Sequence, residues 1–444
     1  MRRFFVLFVM WAVVSPFVFA GGQSEPSQQG SVENVTLRVT TLADQGDHFR
    51  IHAESFMEAN PGVIIEIDIA GDNVQFKQTA PQLFASSDSP DVSYYWAEPQ
   101  SGYPILLRAN ELESLDDVYA EQNLEEVLPP GILSFYRDFG KDDSSYYAAP
   151  IGGVYFPVIY YNREIFEEVG ISVPDGSYPS LEEFLEMADT LRDAGYEPLT
   201  AGLLEGWIVG HINDVIFQRM VPDEIIEDLK TSWMEGEEAQ YSYTEPEVLA
   251  AYEMLLSWRD RVFATGSLSG SDAEGRSLFV QGRAAMHRDG SWGAASIRME
   301  AGDDFDFGWF MYPQMREDIE PQMLAYYGDA VMIPRQSRHP AIAKEFVSHM
   351  TSLEGQRRTA SAGFVPIRGD IDPEFMESAL GYPVSSMWQA STRYGATTSI
   401  GNSVSAQLSS RSFALLQDML SGRATSSEGG EALETIADRS RQGR

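Results

Sequence analysis

Cysteine is absent from the 444-residue chain, which removes disulfide frameworks, thiolate zinc sites, iron–sulfur clusters and cysteine nucleophiles together. Lysine is scarce: it occurs only at Lys77, Lys141, Lys230 and Lys344, and every other basic side chain is arginine. Positive charge as a whole is in short supply, with 31 basic against 67 acidic side chains and a formal net charge of −36. Such a surface repels phosphate backbones, so nucleic acid is excluded as a natural partner. The motifs that anchor common chemistries are also missing. There is no glycine-rich phosphate loop ending in Lys-Ser or Lys-Thr, no GxGxxG turn after a strand, no GxSxG elbow and no HExxH helix, so nucleotide-binding and protease readings lose their footing and no cofactor is expected. Carboxylates are so frequent that their spacing cannot single out a glycosidase pair.

What remains is a chain that folds. Hydrophobic residues make up 43% and aromatic residues 12%, enough apolar surface to offset the entropy of ordering. The length exceeds what one core usually supports and points to two domains. Arg2 and Arg3, the apolar run Phe4 to Val14 and the small-residue end Val18-Phe19-Ala20 have the layout of a secretory signal peptide over residues 1–20. The apolar core falls short of the ~20 residues a membrane span requires. No cysteine follows it, so the exported protein is expected to be soluble, periplasmic and without a lipid on a new N-terminal cysteine. The acidic surface suits solubility at high ionic strength.

After a Gly/Ser/Gln/Pro-rich flexible leader over 21–34, Val35 to Thr41 alternates as a strand. A helix with Phe49, Ala53, Phe56 and Met57 on one face follows and stops at Pro61-Gly62, and Val63 to Ile69 is the next strand. That is a βαβ unit, and hence a parallel α/β layer. Ser180 and Glu183 have the capping-box spacing ahead of an apolar helical stripe that Gly195 ends. Helices are also expected over 248–261 and 341–350, short strands over 305–310 and 329–333, and a loop over 422–430. Gly152-Gly153, ahead of the apolar run Val154 to Tyr161, is where the chain is expected to leave one domain for the other. No internal repeat is present.

Four of the eight tryptophans stand near expected turns: Trp96 after Pro90-Asp91-Val92, Trp207 in Gly202-Leu-Leu-Glu-Gly-Trp, Trp292 in Asp289-Gly-Ser-Trp, and Trp388 after Tyr382-Pro383. Strand ends and their loops are where open α/β sheets bind ligands. Indole faces stack on the apolar face of a sugar ring, while carboxylates and amides take its hydroxyls. These aromatics point to a sugar cleft. His48 and His52 are an i, i+4 pair that offers two imidazoles to a metal, against the plainer reading that both sit on a solvated helix face or cap it.

At these residues the chain resembles the extracellular solute-binding proteins of family 1, the maltose-binding type that feeds sugar ABC transporters. The resemblance runs over about 35–420. It is carried by Phe56-Met-Glu-Ala-Asn-Pro-Gly-Val63, Ser89-Pro-Asp-Val92, Tyr160-Tyr-Asn-Arg-Glu-Ile-Phe-Glu-Glu-Val-Gly170 and Pro179-Ser-Leu-Glu-Glu-Phe184, then Phe279-Val-Gln-Gly-Arg-Ala-Ala-Met286, Gly290-Ser-Trp292 and Ala343-Lys-Glu-Phe346, in that order. It implies a type II periplasmic-binding-protein fold of class α/β, with two lobes, a ligand cleft between them and a hinge the chain crosses more than once. The implied partition is lobe 1 over 35–153, lobe 2 over 154–306, a return to lobe 1 over 307–364, and a C-terminal helical part of lobe 2 over 365–444. The ligand-binding residues it implies are Asp44, Gln45, Trp96, Tyr155, Glu205, Trp207, Trp292, Asp329 and Trp388. Two departures stand out. Pro157 interrupts the expected crossover strand, since it cannot donate to a ladder, and Pro99-Gln100 replaces the charged residues of maltose binders, so maltose is not implied.

The expected function is therefore capture of a sugar or oligosaccharide outside the cytoplasm and its delivery to an ABC permease, by a monomer that is not an enzyme and needs no metal. Three alternatives use the same residues differently. A polyamine or cation carrier would turn Asp44, Glu98, Glu205 and Asp329 into counter-charges. A secreted carbohydrate-cleaving enzyme would need two carboxylates flanking the cleft. A metal carrier would build on His48 and His52.

Overall fold

The computed structural model describes residues 34–443, less Asp72, residues 129–132, 134, 135 and 137–144, Asp303 and Tyr327. The signal peptide and nearly all of the leader lie outside the described residues.

Twelve strands among the described residues form three sheets: β1 (Val35–Leu42), β2 (Val63–Ala70), β3 (Val92–Trp96), β4 (Ala149–Pro150), β5 (Val154–Tyr155), β6 (Val158–Asn162), β7 (Glu197–Thr200), β8 (Ala284–Asp289), β9 (Phe307–Phe310), β10 (Met323–Tyr326), β11 (Asp329–Met332) and β12 (Ala396–Thr397). Lobe 1 is built on a sheet of order β2-β1-β3-β11-β4, and lobe 2 on one of order β7-β8-β6-β9. Between them stands a three-stranded sheet, β12-β10-β5. Each of its strands belongs to a different passage of the chain, so this small sheet is the hinge, crossed three times.

The expected βαβ start is present. β1 and β2 pair in parallel without slip from Val35↔Val63 to Leu42↔Ala70. The helix Gly46–Ala59 between them buries Phe49, Ala53 and Phe56, the i, i+4, i+7 face that its sequence predicts. Ser180 caps the helix Leu181–Asp193 through a complete capping box with Glu183, and Phe184, Ala188 and Leu191 are its buried stripe.

Pro157 lies between β5 and β6 and splits the expected crossover strand in two. The apolar run 154–161 thus serves two sheets: Tyr155 pairs with Ala325 in the hinge, and Ile159 and Tyr160 pair with both β8 and β9 in lobe 2. Gly152-Gly153 falls between β4 of lobe 1 and β5 of the hinge.

Three sequence expectations are corrected. Residues 307–310 are not on the return to lobe 1, because β9 pairs with β6; the chain reaches lobe 1 again only at β11, which pairs with β3 and β4. Residues just after 364 still belong to lobe 1, where Arg368 Nη1 donates to the carbonyls of Gln122 at 2.9 Å and Thr351 at 3.3 Å. The expected loop at 422–430 runs into a helix, Ser426–Arg441, started by a capping box between Thr425 and Glu428. Its glycines are there for close packing: a Cβ on Gly430 would stand 2.6 Å from the carbonyl oxygen of Tyr243.

Candidate functional site

A cleft of about 300 Å³ opens where the three sheets meet. Lobe 1 supplies Glu98 and Gln100, just beyond the end of β3; the hinge supplies Val154, Phe156 and Tyr326. Lobe 2 supplies Trp207 and His211 from the start of the helix Gly206–Met220, Trp292 from the turn after β8, and Asn402 and Phe413 from the C-terminal helices. A larger surface depression, about 470 Å³ around Arg163 and Asp306, is lined by charges that already pair at 3.1 Å.

Local sequence explains how the aromatic wall is held. β8 ends at Asp289, whose Oδ1 accepts the Gly290 N–H at 2.8 Å. Ser291 then ties the turn to the hinge: its N–H donates to the Tyr155 carbonyl at 2.8 Å, and its hydroxyl accepts the Tyr155 N–H at 3.2 Å. The Trp292 ring folds back over Gly290, where a Cβ would lie 2.2 Å from the nearest ring carbon, so this glycine is what admits the indole. Trp207 donates its indole N–H to Glu205 Oε2 at 2.9 Å, and the Arg288 guanidinium sits 5.1 Å from its ring centre, a cation–π contact. Phe156 and His211 fill the wall between the indoles, with ring centres 4.2 Å apart.

The polar side is fully engaged. Glu98, only 2% exposed, accepts from the Lys77 ammonium, from Tyr326 Oη at 2.8 Å and from Gln100 Nε2 at 3.1 Å. Gln100 also spans the lobes: Nε2 donates to Asn402 Oδ1 at 3.0 Å, and Oε1 accepts from the Ser409 hydroxyl at 3.3 Å. Burial, helped by the Arg288 charge, holds His211 well below the usual histidine range. Its Nδ1 faces Arg288 Nη2 at 2.8 Å; arginine has only donors, so Nδ1 accepts and the ring proton sits on Nε2. The wall therefore combines flat apolar faces with fixed donors and acceptors, the composition of a polyol site.

The structure brings only Trp207 and Trp292, of the expected site residues, onto the cleft wall, and both belong to lobe 2. Trp96 is half-buried behind Glu98, packed on Tyr94 and Tyr95 with the Lys77 ammonium 5.2 Å from its ring. Tyr155 is 1% exposed and points away from the cleft, its hydroxyl accepting from Ser391 Oγ at 2.9 Å; strand alternation puts its neighbours Val154 and Phe156 on the wall instead. Glu205 acts behind the wall, bonding Trp207 and the Asp272 N–H at 3.0 Å. Asp329 accepts from the Tyr94 hydroxyl at 2.5 Å. Trp388 stands inside the helix Val384–Tyr394 and is a core residue at 6% exposed. Gln45 lies against His48, 3.4 Å from Nδ1. Asp44 falls in the short turn before the first helix, and its side chain lies outside the described residues.

The reading that put His48 and His52 on a solvated face is corrected. Both are buried in lobe 1, where each Nε2 lies 3.0 Å from the Thr359 hydroxyl and His48 stacks on Phe364. Burial depresses His48 to about 4 and His52 to about 2.

The residues missed were Gln100, Val154, Phe156, His211, Tyr326, Asn402 and Phe413. Sequence alone offers Glu98 only as a counter-charge for a cationic ligand. Phe156 was the one with a local signal, flanked by a proline that breaks the strand.

A family model described as bacterial extracellular solute-binding protein matches residues 40–357. The chain belongs to this family. Among curated proteins, an uncharacterized ABC transporter extracellular-binding protein of Pyrococcus horikoshii is 22% identical over 374 residues, 82% of this chain and 77% of that one. Among solved structures, a chitin oligosaccharide binding protein superposes with a TM-score of 0.72 at 18% identity, covering 92% of this chain and 99% of that one. A solute-binding protein, RafE, in complex with raffinose gives 0.65 at 16% identity, covering 92% and 100%. The two-lobed fold is thus shared along nearly the whole chain. Among the described residues, no helix is long and apolar enough to cross a membrane.

Proposed function

We propose that the protein captures a sugar outside the cytoplasm and presents it, closed between the lobes, to the permease of an ABC importer. The observation that carries this reading is the cleft: two indoles from lobe 2 face a polar cluster of Glu98, Gln100 and Asn402 drawn from both lobes. At about 300 Å³ it lies at the small end of ligand sites, which favours a mono- or disaccharide. That proteins of the same fold include a chitin oligosaccharide binding protein and one in complex with raffinose supports the ligand class.

Binding without chemistry is favoured. Glu98 is the only carboxylate among the described residues lining the cleft, whereas glycoside cleavage uses two. A cation carrier is disfavoured because Glu98 is matched by Lys77, Glu205 holds Trp207 and Asp272, and Asp329 holds Tyr94. Closure is carried by the hinge sheet, and the Gln100 bonds to Asn402 and Ser409 are its lobe-to-lobe contacts. A micromolar Kd amounts to about −8 kcal/mol, within reach of stacked rings and charge-assisted hydroxyl bonds of roughly 1 to 3 kcal/mol each. We expect a monomer, exported by its signal peptide into the periplasm.

A thermal-shift screen against mono- and oligosaccharides tests this, since a ligand at a hundred times its Kd stabilises by ~2.7 kcal/mol. A saturable shift with a saccharide that is recovered intact supports the proposal. No shift with any saccharide, or recovery of cleaved fragments, refutes it.

A further inference from the structure

Behind the tryptophan wall, three side chains of lobe 2 converge. Asp272 opens the helix Asp272–Val280, and His287 and Asp289 stand on the same face of β8. One ligand atom from each lies within 4.8 Å of the others, and His287 Nε2 is 3.7 Å from Asp289 Oδ2. His287 and Asp289 are both 0% exposed. Among the described residues, His287 Nε2, Asp289 Oδ2 and Asp272 Oδ1 have no hydrogen-bond partner, a costly state for buried polar atoms.

The hydrogen bonds around the cluster define what it lacks. The Thr200 hydroxyl donates its one proton to the Met286 carbonyl at 3.2 Å and lies 3.0 Å from His287 Nδ1. With that proton on the Met286 carbonyl the hydroxyl accepts from Nδ1–H, the tautomer that turns the Nε2 lone pair toward a carboxylate oxygen. In that tautomer two lone-pair-bearing atoms face each other at 3.7 Å, an arrangement that a cation between them relieves. Charge is unbalanced too: Arg276 is shared between Asp272 Oδ2 at 3.3 Å and Glu300 at 3.2 Å, and Arg288, on the opposite face of the strand, turns to His211.

We propose that Asp272, His287 and Asp289 bind one divalent transition-metal cation, zinc or manganese. One imidazole nitrogen with two carboxylates suits these ions better than calcium or magnesium, which take oxygen donors. Donors bound to a tetrahedral ion at ~2.0–2.1 Å stand about 3.4 Å apart, so the observed 3.7 Å between His287 and Asp289 needs little adjustment. Thr200 is the outer partner that fixes the imidazole tautomer. Gly293 leaves room for the carboxylate, since a Cβ there would be 2.4 Å from Asp289 Oδ2.

The position gives the ion a structural role. Asp289 lies three residues before Trp292, and the Asp272 N–H bonds Glu205, which holds the Trp207 indole. A bound ion ties the supports of both cleft tryptophans together without touching the cleft.

The test is calorimetry and thermal shift on the purified protein after treatment with chelator, titrated with zinc and with manganese chloride, alongside His287→Gln and Asp289→Asn. The expected result is one equivalent of one of these ions bound per chain, a rise in melting temperature, and at least a tenfold weaker Kd in both variants. Circular dichroism identifies a variant that has not folded, and the other then stands as the control. The proposal is overturned if neither ion binds below millimolar concentration, or if the folded variants retain it with unchanged affinity. It is equally overturned if nitrogen-15 spectra of the metal-treated protein show His287 protonated on Nε2, which would make the cluster an imidazolium–carboxylate pair.

Discussion

Replacing Gly290 by alanine tests the indole wall without removing an indole. Gly290 has no positive φ, so the backbone accepts a side chain, but the new Cβ would lie 2.2, 2.3 and 2.5 Å from three carbons of the Trp292 ring. Ordinary contact begins near 3.4 Å, so the ring must retreat by roughly 1 Å, and a gap of that size already forfeits about a quarter to a half of the dispersion well. A stacked ring contributes about 0.5–1.5 kcal/mol beyond its buried area, so Trp292→Ala should weaken binding at least tenfold, about 1.4 kcal/mol. Gly290→Ala, which forfeits about a quarter to a half of that contact, should weaken it by roughly two- to threefold. The measurement is calorimetry with the saccharide that gives the largest thermal shift. If Gly290 acts only through the ring, the double variant binds as Trp292→Ala alone does. Unchanged affinity in Gly290→Ala, or a double variant weaker than Trp292→Ala, would refute the stacking role of Trp292.

Tyr155→Phe removes the bond from Ser391 and should lower stability by about 1 kcal/mol in denaturant titration while leaving sugar affinity unchanged; a large affinity loss would return Tyr155 to the site. Gln100→Ala deletes the bonds to Asn402 and Ser409, so small-angle scattering of the ligand-saturated protein should show a larger radius of gyration and calorimetry a weaker Kd; an unchanged radius would deny Gln100 a closing role. The buried histidines predict acid sensitivity. His48 and His52 have folded values of about 4 and about 2, below the ordinary 6.5, so their contribution is fully present above pH 6.5 and declines as pH falls toward those values, by about 1.4 kcal/mol per pH unit for each. Melting temperature should accordingly fall from pH 6.5 to 4.5, and His48→Gln should flatten the slope; equal slopes would contradict this account.

Periodicity, caps and turn residues, all local properties, were enough to place the helices 46–59 and 181–193 and the parallel pair β1–β2. Residue order further narrowed the family and suggested Trp207 and Trp292, because Gly-Ser-Trp and Glu-Gly-Trp put large rings beside residues too small to cover them. Side-chain direction was not local. Trp388 and Tyr155 have the composition of ligand contacts, yet one is turned inward on a helix and the other by the pleat of a two-residue strand, and only burial in the core and the bond from Ser391 decided this. Likewise β9 belongs to lobe 2 because of a partner 151 positions earlier, as Ile159 faces Phe310. The cleft itself, like the Asp272–His287–Asp289 cluster, exists only where distant segments meet: a chain encodes its own turns in neighbouring residues, but which surfaces share a wall is settled by the burial of all of them at once.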